Sequence, residues 1–247
     1  MRVIIHGLGR LGLAVATLAR EAGHEVVCAV DKQEKTGVGF EVFESLVDCP
    51  SADVVIDSSH AEAVPGLLAD AQKMGLPLVI CTTGLSAEVL AKIDEVSGAL
   101  PVFLSSNMSL GVNLISKLAQ LATKALDGAN FDIEIVEAHH NQKLDTPSGT
   151  GLFLAQSINE AADGKYKFVF DRSQGLQKRE TNEIGISAIR GGTIVGEHTI
   201  IFAGTDEVIE ITHKAASREV FARGALRAAQ FMLDKKSGLY TMDDLLR

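Results

Sequence analysis

A short apolar strand that runs directly into Gly7-Leu-Gly-Arg-Leu-Gly12, and from there into a helical stretch at residues 14–22, constrains the fold of this chain more than any other feature. Each glycine answers a separate steric demand. Gly7 permits the tight turn out of residues 2–6, Gly9 lets the backbone approach a pyrophosphate, and Gly12 lets the helix pack closely on the strand. A helix N-terminus favours an anion, and Arg10 adds charge beside it. A second strand, residues 25–30, ends in Asp31, about twenty residues beyond the glycines, where a carboxylate bonds the ribose hydroxyls of a dinucleotide. Asp31 repels a 2'-phosphate whereas Lys32 accommodates one, so NADH and NADPH are both expected as cofactors. The expected cradle is Gly7, Leu8, Gly9, Arg10, Leu11 and Gly12, with Asp31 and Lys32.

The chain of 247 residues has room for two modest domains, and its pattern changes part-way along. Through residue 107, strands at 2–6, 25–30, 53–57, 78–81 and 100–104 alternate with helical stretches, the pattern of an α/β, Rossmann-type doubly wound parallel sheet. A helix near residues 115–126 follows, and then a strand-rich region. Strands at 184–190, 194–203 and 207–213, separated by Gly191-Gly192 and Gly204-Thr-Asp206, predict antiparallel hairpins in a second α+β domain with an open mixed sheet. The polar stretch 171–183 lacks any sustained apolar period and reads as the most mobile loop. Residues 217–233 return to helical periodicity, with Ser217 as N-cap.

The densest chemistry lies in Glu137-Ala-His-His-Asn-Gln-Lys-Leu-Asp-Thr-Pro-Ser-Gly-Thr150. Residues 131–139 alternate apolar and polar side chains, predicting a strand that delivers His139 and His140 to its C-terminal end, pointing to opposite sides. With Thr146 or Asp145 as N-cap and Pro147 at the first helical position, the amides of Ser148, Gly149 and Thr150 make an anion cradle suited to a carboxylate or phosphate. A His and the amine of Lys143 beside such a cradle suit proton donation to a bound acid. No third metal ligand lies at a regular spacing and no His-Glu-x-x-His occurs, so no metal is expected. Arg190, His198, His213, Lys214 and Arg218 are further basic groups, kept outside the primary site.

This run resembles the signature of the dihydrodipicolinate reductase family, Glu-x-His-His-x-x-Lys-x-Asp-Ala-Pro-Ser-Gly-Thr, from which only Thr146 departs. The resemblance implies that His139 is the catalytic acid with Lys143 as its partner, and that His140, Gly149 and Thr150 meet the substrate. It extends to Cys81-Thr-Thr-Gly84 and to Ser105-Ser-Asn-Met-Ser-Leu-Gly-Val-Asn113. It thereby assigns nicotinamide contacts to Ser59, Cys81, Thr82, Thr83, Ser105, Ser106, Asn107 and Met108. Departures are a glycine loop one residue shorter than the family's, Leu11 for a usual Met, Cys81 for a usual Gly, and Ser105-Ser106 for Ala-Pro or Ala-Ala. The resemblance further implies a discontinuous dinucleotide-binding domain (residues 1–107 and 216–247) and a substrate-binding, catalytic and oligomerisation domain (residues 108–215). It implies a homotetramer built through the second sheet, and NAD(P)H-dependent reduction of a cyclic imine dicarboxylate to tetrahydrodipicolinate, in diaminopimelate and lysine biosynthesis.

A formal charge of −9 argues against nucleic acid, and no apolar run reaches membrane-spanning length. The first strand starts at Arg2, which leaves no room for a signal peptide, and the three cysteines Cys28, Cys49 and Cys81 are scattered, so a cytoplasmic location is expected. Two other readings fit part of the pattern: a different two-domain dehydrogenase of an amino or imino acid, or a nonenzymatic dinucleotide sensor. The first should lack the double-His, Lys and Ser-Gly-Thr block, and the second should carry an added partner-binding module.

Overall fold

The computed structural model describes every residue except 34, 35, 171 and 174. Its first half runs β1 (Arg2–His6), α1 (Arg10–Glu21), β2 (Glu25–Val30), β3 (Glu41–Phe43), β4 (Val54–Asp57), α2 (Val64–Met74), β5 (Leu78–Ile80), α3 (Ala87–Ser97) and β6 (Pro101–Leu104). Then come α4 (Leu110–Ala125), β7 (Asp132–His139), α5 (Gly149–Ala161), β8 (Lys167–Val169), β9 (Glu183–Arg190), β10 (Gly196–Ala203) and β11 (Val208–Ala215). The chain closes with α6 (Glu219–Met232), β12 (Gly238–Tyr240) and α7 (Met242–Leu245). Two units result, Met1–Leu110 with Glu219–Arg247, and Gly111–Arg218. The resemblance puts these divisions after residues 107 and 215; the units divide after Leu110 and Arg218.

The first unit is a seven-stranded sheet in the order β12-β6-β5-β4-β1-β2-β3, with every pairing parallel. Its central strands are apolar runs because both faces are covered. Val3, Ile5 and Ile56 pack toward Val15 and Ala19 of α1 and Ala225 and Ala229 of α6, whereas Ile4, Val55 and Ile80 pack toward Leu68 of α2 and Ile93 of α3. The parallel arrangement brings Gly7, Ser58 and Ser59, Cys81 and Thr82, and Ser105 to one edge, beyond the carboxyl ends of β1, β4, β5 and β6. In such sheets this edge is where ligands bind.

The second unit is a five-stranded mixed sheet in the order β11-β10-β7-β9-β8. One face is apolar: Ile133 and Ile135 of β7, Ile184 and Ile186 of β9, and Ile200 and Phe202 of β10 pack on Ile115 and Ala119 of α4 and on Leu154 and Ile158 of α5. The hairpin turning through residues 204–206 forms as expected between β10 and β11. The one expected at Gly191-Gly192 does not. β9 runs parallel to β7 and β10 antiparallel to it, so β7 lies between them and the connection arches past the end of β7. There Gly191 N–H donates to His139 O at 2.9 Å and Asn141 N–H to Gly192 O at 3.2 Å. Adjacent strands with a short glycine turn predict a hairpin locally, but pairing both edges of β7 satisfies more backbone groups.

Arg172 and Arg179, within the stretch expected to be most mobile, are each held by ion pairs. Arg172 bridges Glu134 at 2.7 Å and Glu183 at 2.6 Å, and Arg179 reaches Asp132 at 2.6 Å. Residues 171 and 174 lie outside the described residues.

Candidate active site

The alternation that buries Ile133 and Ile135 of β7 continues into Glu137 and His139, so the core face of the second sheet turns polar at one end. Strand pairing sets His198 beside Glu137, and Arg190 beside His139. Glu137 is fully buried. Its Oε2 accepts from His139 Nδ1 at 2.6 Å and Arg190 Nη1 at 2.8 Å, and its Oε1 accepts from Arg190 Nη2 at 2.7 Å and Ser148 N–H at 3.0 Å. Burial alone would raise the Glu137 carboxyl, but the bonds from Arg190, His139 and Ser148 outweigh it and hold the group below its ordinary range. His139 is pushed below the usual imidazole value, by burial first, and by the positive Lys143 and Arg190, against the pull of Glu137.

Helix α5 starts two residues later than its sequence suggests. Neither Asp145 nor Thr146 is the cap and Pro147 precedes the helix: Ser148 is the N-cap, extended at φ −65° and ψ 152°, with its Oγ accepting from Gly151 N–H at 3.0 Å. The Ser148 amide is already taken by Glu137, which removes it from the expected cradle. Lys143 Nζ stands 2.9 Å from Asp145 Oδ2, and Asp145 is held below its usual range by Lys143 first and also by the Gly149 amide. A carboxylate of the chain itself therefore sits on Lys143 and the start of α5. His140 turns the other way from His139, with Nε2 at 2.8 Å from Arg218 Nη2.

Two participants escape the sequence reading of the primary site, Arg190 and His198. His198 lies edge-on to His139 with ring centroids 5.2 Å apart, and its Nε2 is 3.1 Å from Ser148 Oγ. Its position two residues before Ile200 and four before Phe202 was the available signal, since that phase faces the core. Burial, chiefly, and the neighbouring His139 push His198 down to about 4. The unfolded chain binds a proton there near 6.5 and the folded chain refuses it, so stability is complete above about pH 6.5 and is lost as pH falls toward 4. The difference corresponds to roughly 3 kcal/mol. Denaturant unfolding at pH 7 and pH 4.5 is expected to show a smaller acid loss in His198→Gln than in wild type; equal losses would refute the assignment. His213 pairs with His198 across β10 and β11, and Lys214 is tied to Glu197 at 3.0 Å.

In the first unit two of the three loop glycines stand where a side chain would not fit. Gly7 has φ +88°, and a Cβ there would meet the Ser59 backbone at 2.7 Å; a Cβ on Gly12 would meet Gly7 O at 2.0 Å. At Gly9, by contrast, a Cβ would meet nothing within 4 Å, and α1 begins there with no side-chain cap and no acid in its first turn. Asp31 Oδ2 accepts the Leu8 amide at 2.7 Å, which sets the carboxylate against the loop, while Arg10 and Lys32 are exposed. The fully buried Asp57 accepts from His6 Nδ1 at 2.7 Å, Ser59 Oγ at 2.6 Å and Thr82 Oγ1 at 2.6 Å, fixing the ends of β1, β4 and β5 relative to one another. Thr83 and Ser106 are exposed, Ser105 Oγ donates to Asn107 O at 2.8 Å, and Leu8, Cys81 and Met108 have buried side chains. Leu11 packs partly buried against the core.

The glycine loop of the first unit and the buried His-Glu-Arg corner of the second accord with the comparisons to known proteins. Residues 1–108 match the description "Dihydrodipicolinate reductase, N-terminus", and residues 111–246 match "Dihydrodipicolinate reductase, C-terminus". The chain belongs to the dihydrodipicolinate reductase family. It is 51% identical to the 4-hydroxy-tetrahydrodipicolinate reductase of Caldanaerobacter subterraneus subsp. tengcongensis, over 100% of this chain and 98% of that one. With the enzyme of the same description from Clostridium novyi it shares 47% identity, with the same coverage. A dipicolinate-bound dihydrodipicolinate reductase from Paenisporosarcina sp. TG-14 superposes with a TM-score of 0.80 at 25% identity, covering 98% of this chain and 97% of that one. The chain is thus an NAD(P)H-dependent oxidoreductase of diaminopimelate and lysine biosynthesis, reducing 4-hydroxy-tetrahydrodipicolinate, a dicarboxylate.

Proposed function

We propose that the reduction is divided between two sets of residues, one on each unit. On the second unit, Lys143, the amides of Gly149 and Thr150, the Ser148 hydroxyl and His140 bind and orient the substrate, and His139 supplies a proton to the ring anion or enamine. The observation that carries this reading is the Asp145 carboxylate held by Lys143 and the Gly149 amide: what that corner does for an internal carboxylate it can do for a substrate carboxylate. Asp145 is exposed enough, at 58% of its side chain, to yield its place. Lys143 then fixes the acid as a point charge while His139 moves the proton, so binding and protonation fall to different groups.

On the first unit, Gly7, Gly9 and Gly12 with the amides of Arg10 and Leu11 hold the pyrophosphate, Leu8 steadies Asp31 through its amide, and Asp31 and Lys32 hold the adenosine ribose. Ser59, Cys81, Thr82, Thr83, Ser105, Ser106, Asn107 and Met108 border the nicotinamide, with the buried Cys81 and Met108 acting through their backbone. NADH or NADPH, when bound, supplies the hydride. Both coenzymes are used, because Asp31 disfavours a 2'-phosphate while the exposed Lys32 attracts one. Asp31→Ala is expected to raise the NADPH-to-NADH ratio of kcat/KM roughly tenfold, about 1.4 kcal/mol. An unchanged ratio would remove Asp31 from coenzyme choice.

The protein works in the cytoplasm as a homotetramer joined through the face of the second sheet opposite α4 and α5, where Ile189 and Val208 are 52% and 60% exposed. Among the described residues no helix is long and apolar enough to cross a membrane. The deciding assay supplies purified protein with freshly made product of the preceding synthase and follows NADH and NADPH oxidation at about 340 nm, the nicotinamide band that hydride transfer bleaches. Rapid oxidation of both supports the assignment. Binding of coenzyme without its consumption would reject the assigned roles of the second unit.

A further inference from the structure

We infer that Glu137 is a positioning residue: its buried carboxylate, clamped by Arg190, joins His139 to the N-cap amide of the substrate-binding helix, so that His139 meets substrate through Nε2. The inference rests on the reading of His139 as proton donor, and it adds a residue outside that set. An ionised carboxylate only accepts hydrogen bonds, so the 2.6 Å contact places a hydrogen on His139 Nδ1 and leaves Nε2 as the exchanging nitrogen. Space is kept on that side, because a Cβ on Gly196 would stand 3.1 Å from Nε2. The other Glu137 oxygen takes the Ser148 amide at 3.0 Å, so the same two-atom bridge that orients the acid also sets the start of α5.

A carboxylate with no exposed surface is costly unless every lone pair is used, and here the four are divided between Arg190, His139 and Ser148. Arg190 approaches in the two-pronged geometry that neutralises the carboxylate without displacing His139. The charged and titratable groups around His139 are Glu137 on its own strand, Arg190 from β9, His198 from β10, and Lys143 with Asp145 from the following loop. Of these, Glu137 favours the imidazolium whereas Arg190 and Lys143 oppose it. Loss of Glu137 and loss of Arg190 must therefore move the titration of His139 in opposite directions.

The test compares full-length wild type, Glu137→Gln and Arg190→Gln, each labelled with 15N-histidine, by ring-nitrogen NMR and by kcat/KM against pH. Far-UV circular dichroism and NADH binding check that each is folded. In wild type His139 should show a protonated Nδ1 and a bare Nε2 when neutral. Glu137→Gln should mix the tautomers, lower kcat on the order of 10²-fold and leave NADH affinity unchanged. Its high-pH limb should move down by about one pH unit and that of Arg190→Gln should move up. A wild-type tautomer in Glu137→Gln, or limbs that shift the same way, would overturn the proposal. If Glu137→Gln does not fold, the wild-type tautomer and the direction of the Arg190→Gln shift decide. The NMR arm needs no turnover, so an inactive wild type would reject the donor reading while the tautomer still judged Glu137.

Discussion

Replacing His139 with Gln is expected to lower kcat by roughly 10²- to 10⁴-fold, about 3 to 5 kcal/mol of transition-state stabilisation, while NADH binds as before. The glutamine amide reaches a similar volume and retains a hydrogen bond to Glu137, so the corner should stay folded, but it has no proton to deliver at neutral pH. Lys143→Ala is expected to act on the other quantity. Losing a charged hydrogen bond to a carboxylate should raise the KM for the dicarboxylate roughly 10- to 100-fold, because such a bond contributes about 1.5 to 3 kcal/mol. Steady-state kinetics at saturating coenzyme separates the two. A His139→Gln enzyme within tenfold of wild-type kcat would exclude His139 as the proton donor.

Gly224→Ala is expected to destabilise the protein by about 3 kcal/mol or more, the upper range for an overpacked site. A Cβ there would fall 1.7 Å from the Met108 carbonyl oxygen and 2.8 Å from its carbon, so backbone must move on one side of the contact. Neither α6 nor the segment after β6 can yield alone, since Met108 and the α6 residues Ala225 and Ala228 are all buried in one core. Gly9→Ala makes the useful contrast, with nothing within 4 Å of its added methyl. That variant should unfold at the wild-type denaturant midpoint and lose coenzyme affinity. Equal stability of Gly224→Ala and Gly9→Ala would mean that the close approach of α6 is not needed.

What could be read from the sequence follows from how local each signal is. β1, β2 and β7 declare themselves through apolar runs or strict alternation, and the glycine loop does so because its three glycines answer steric needs within six residues. β3, β8 and β12 are three residues long and lie at sheet edges, too short to show a period and only half covered. The absent hairpin at Gly191-Gly192 and the placing of Arg190 and His198 outside the expected primary site share one cause. Each depends on which strand lies beside β7, and Glu137 and Arg190 are 53 residues apart. The N-cap shift has a different origin, for Asp145, Thr146 and Ser148 are all good caps by type. Only Glu137, reaching the Ser148 amide from another strand, and the Ser148 hydroxyl bonding Gly151 select among them.

The return of the chain from the second unit to the first also sets an order of events at the ribosome. Helix α6 covers one face of the seven-stranded sheet, burying Ala222, Ala225 and Ala229 with Val15 and Ala19 of α1, yet it is translated only after the entire second unit. Until Glu219–Met232 emerge, Val3, Ile5 and Ile56 have no complete cover, so the unit begun first is the one finished last. A nascent chain paused in that interval carries an apolar surface of the kind chaperones hold, and truncation before α6 should yield an aggregating product even though the whole glycine loop is present.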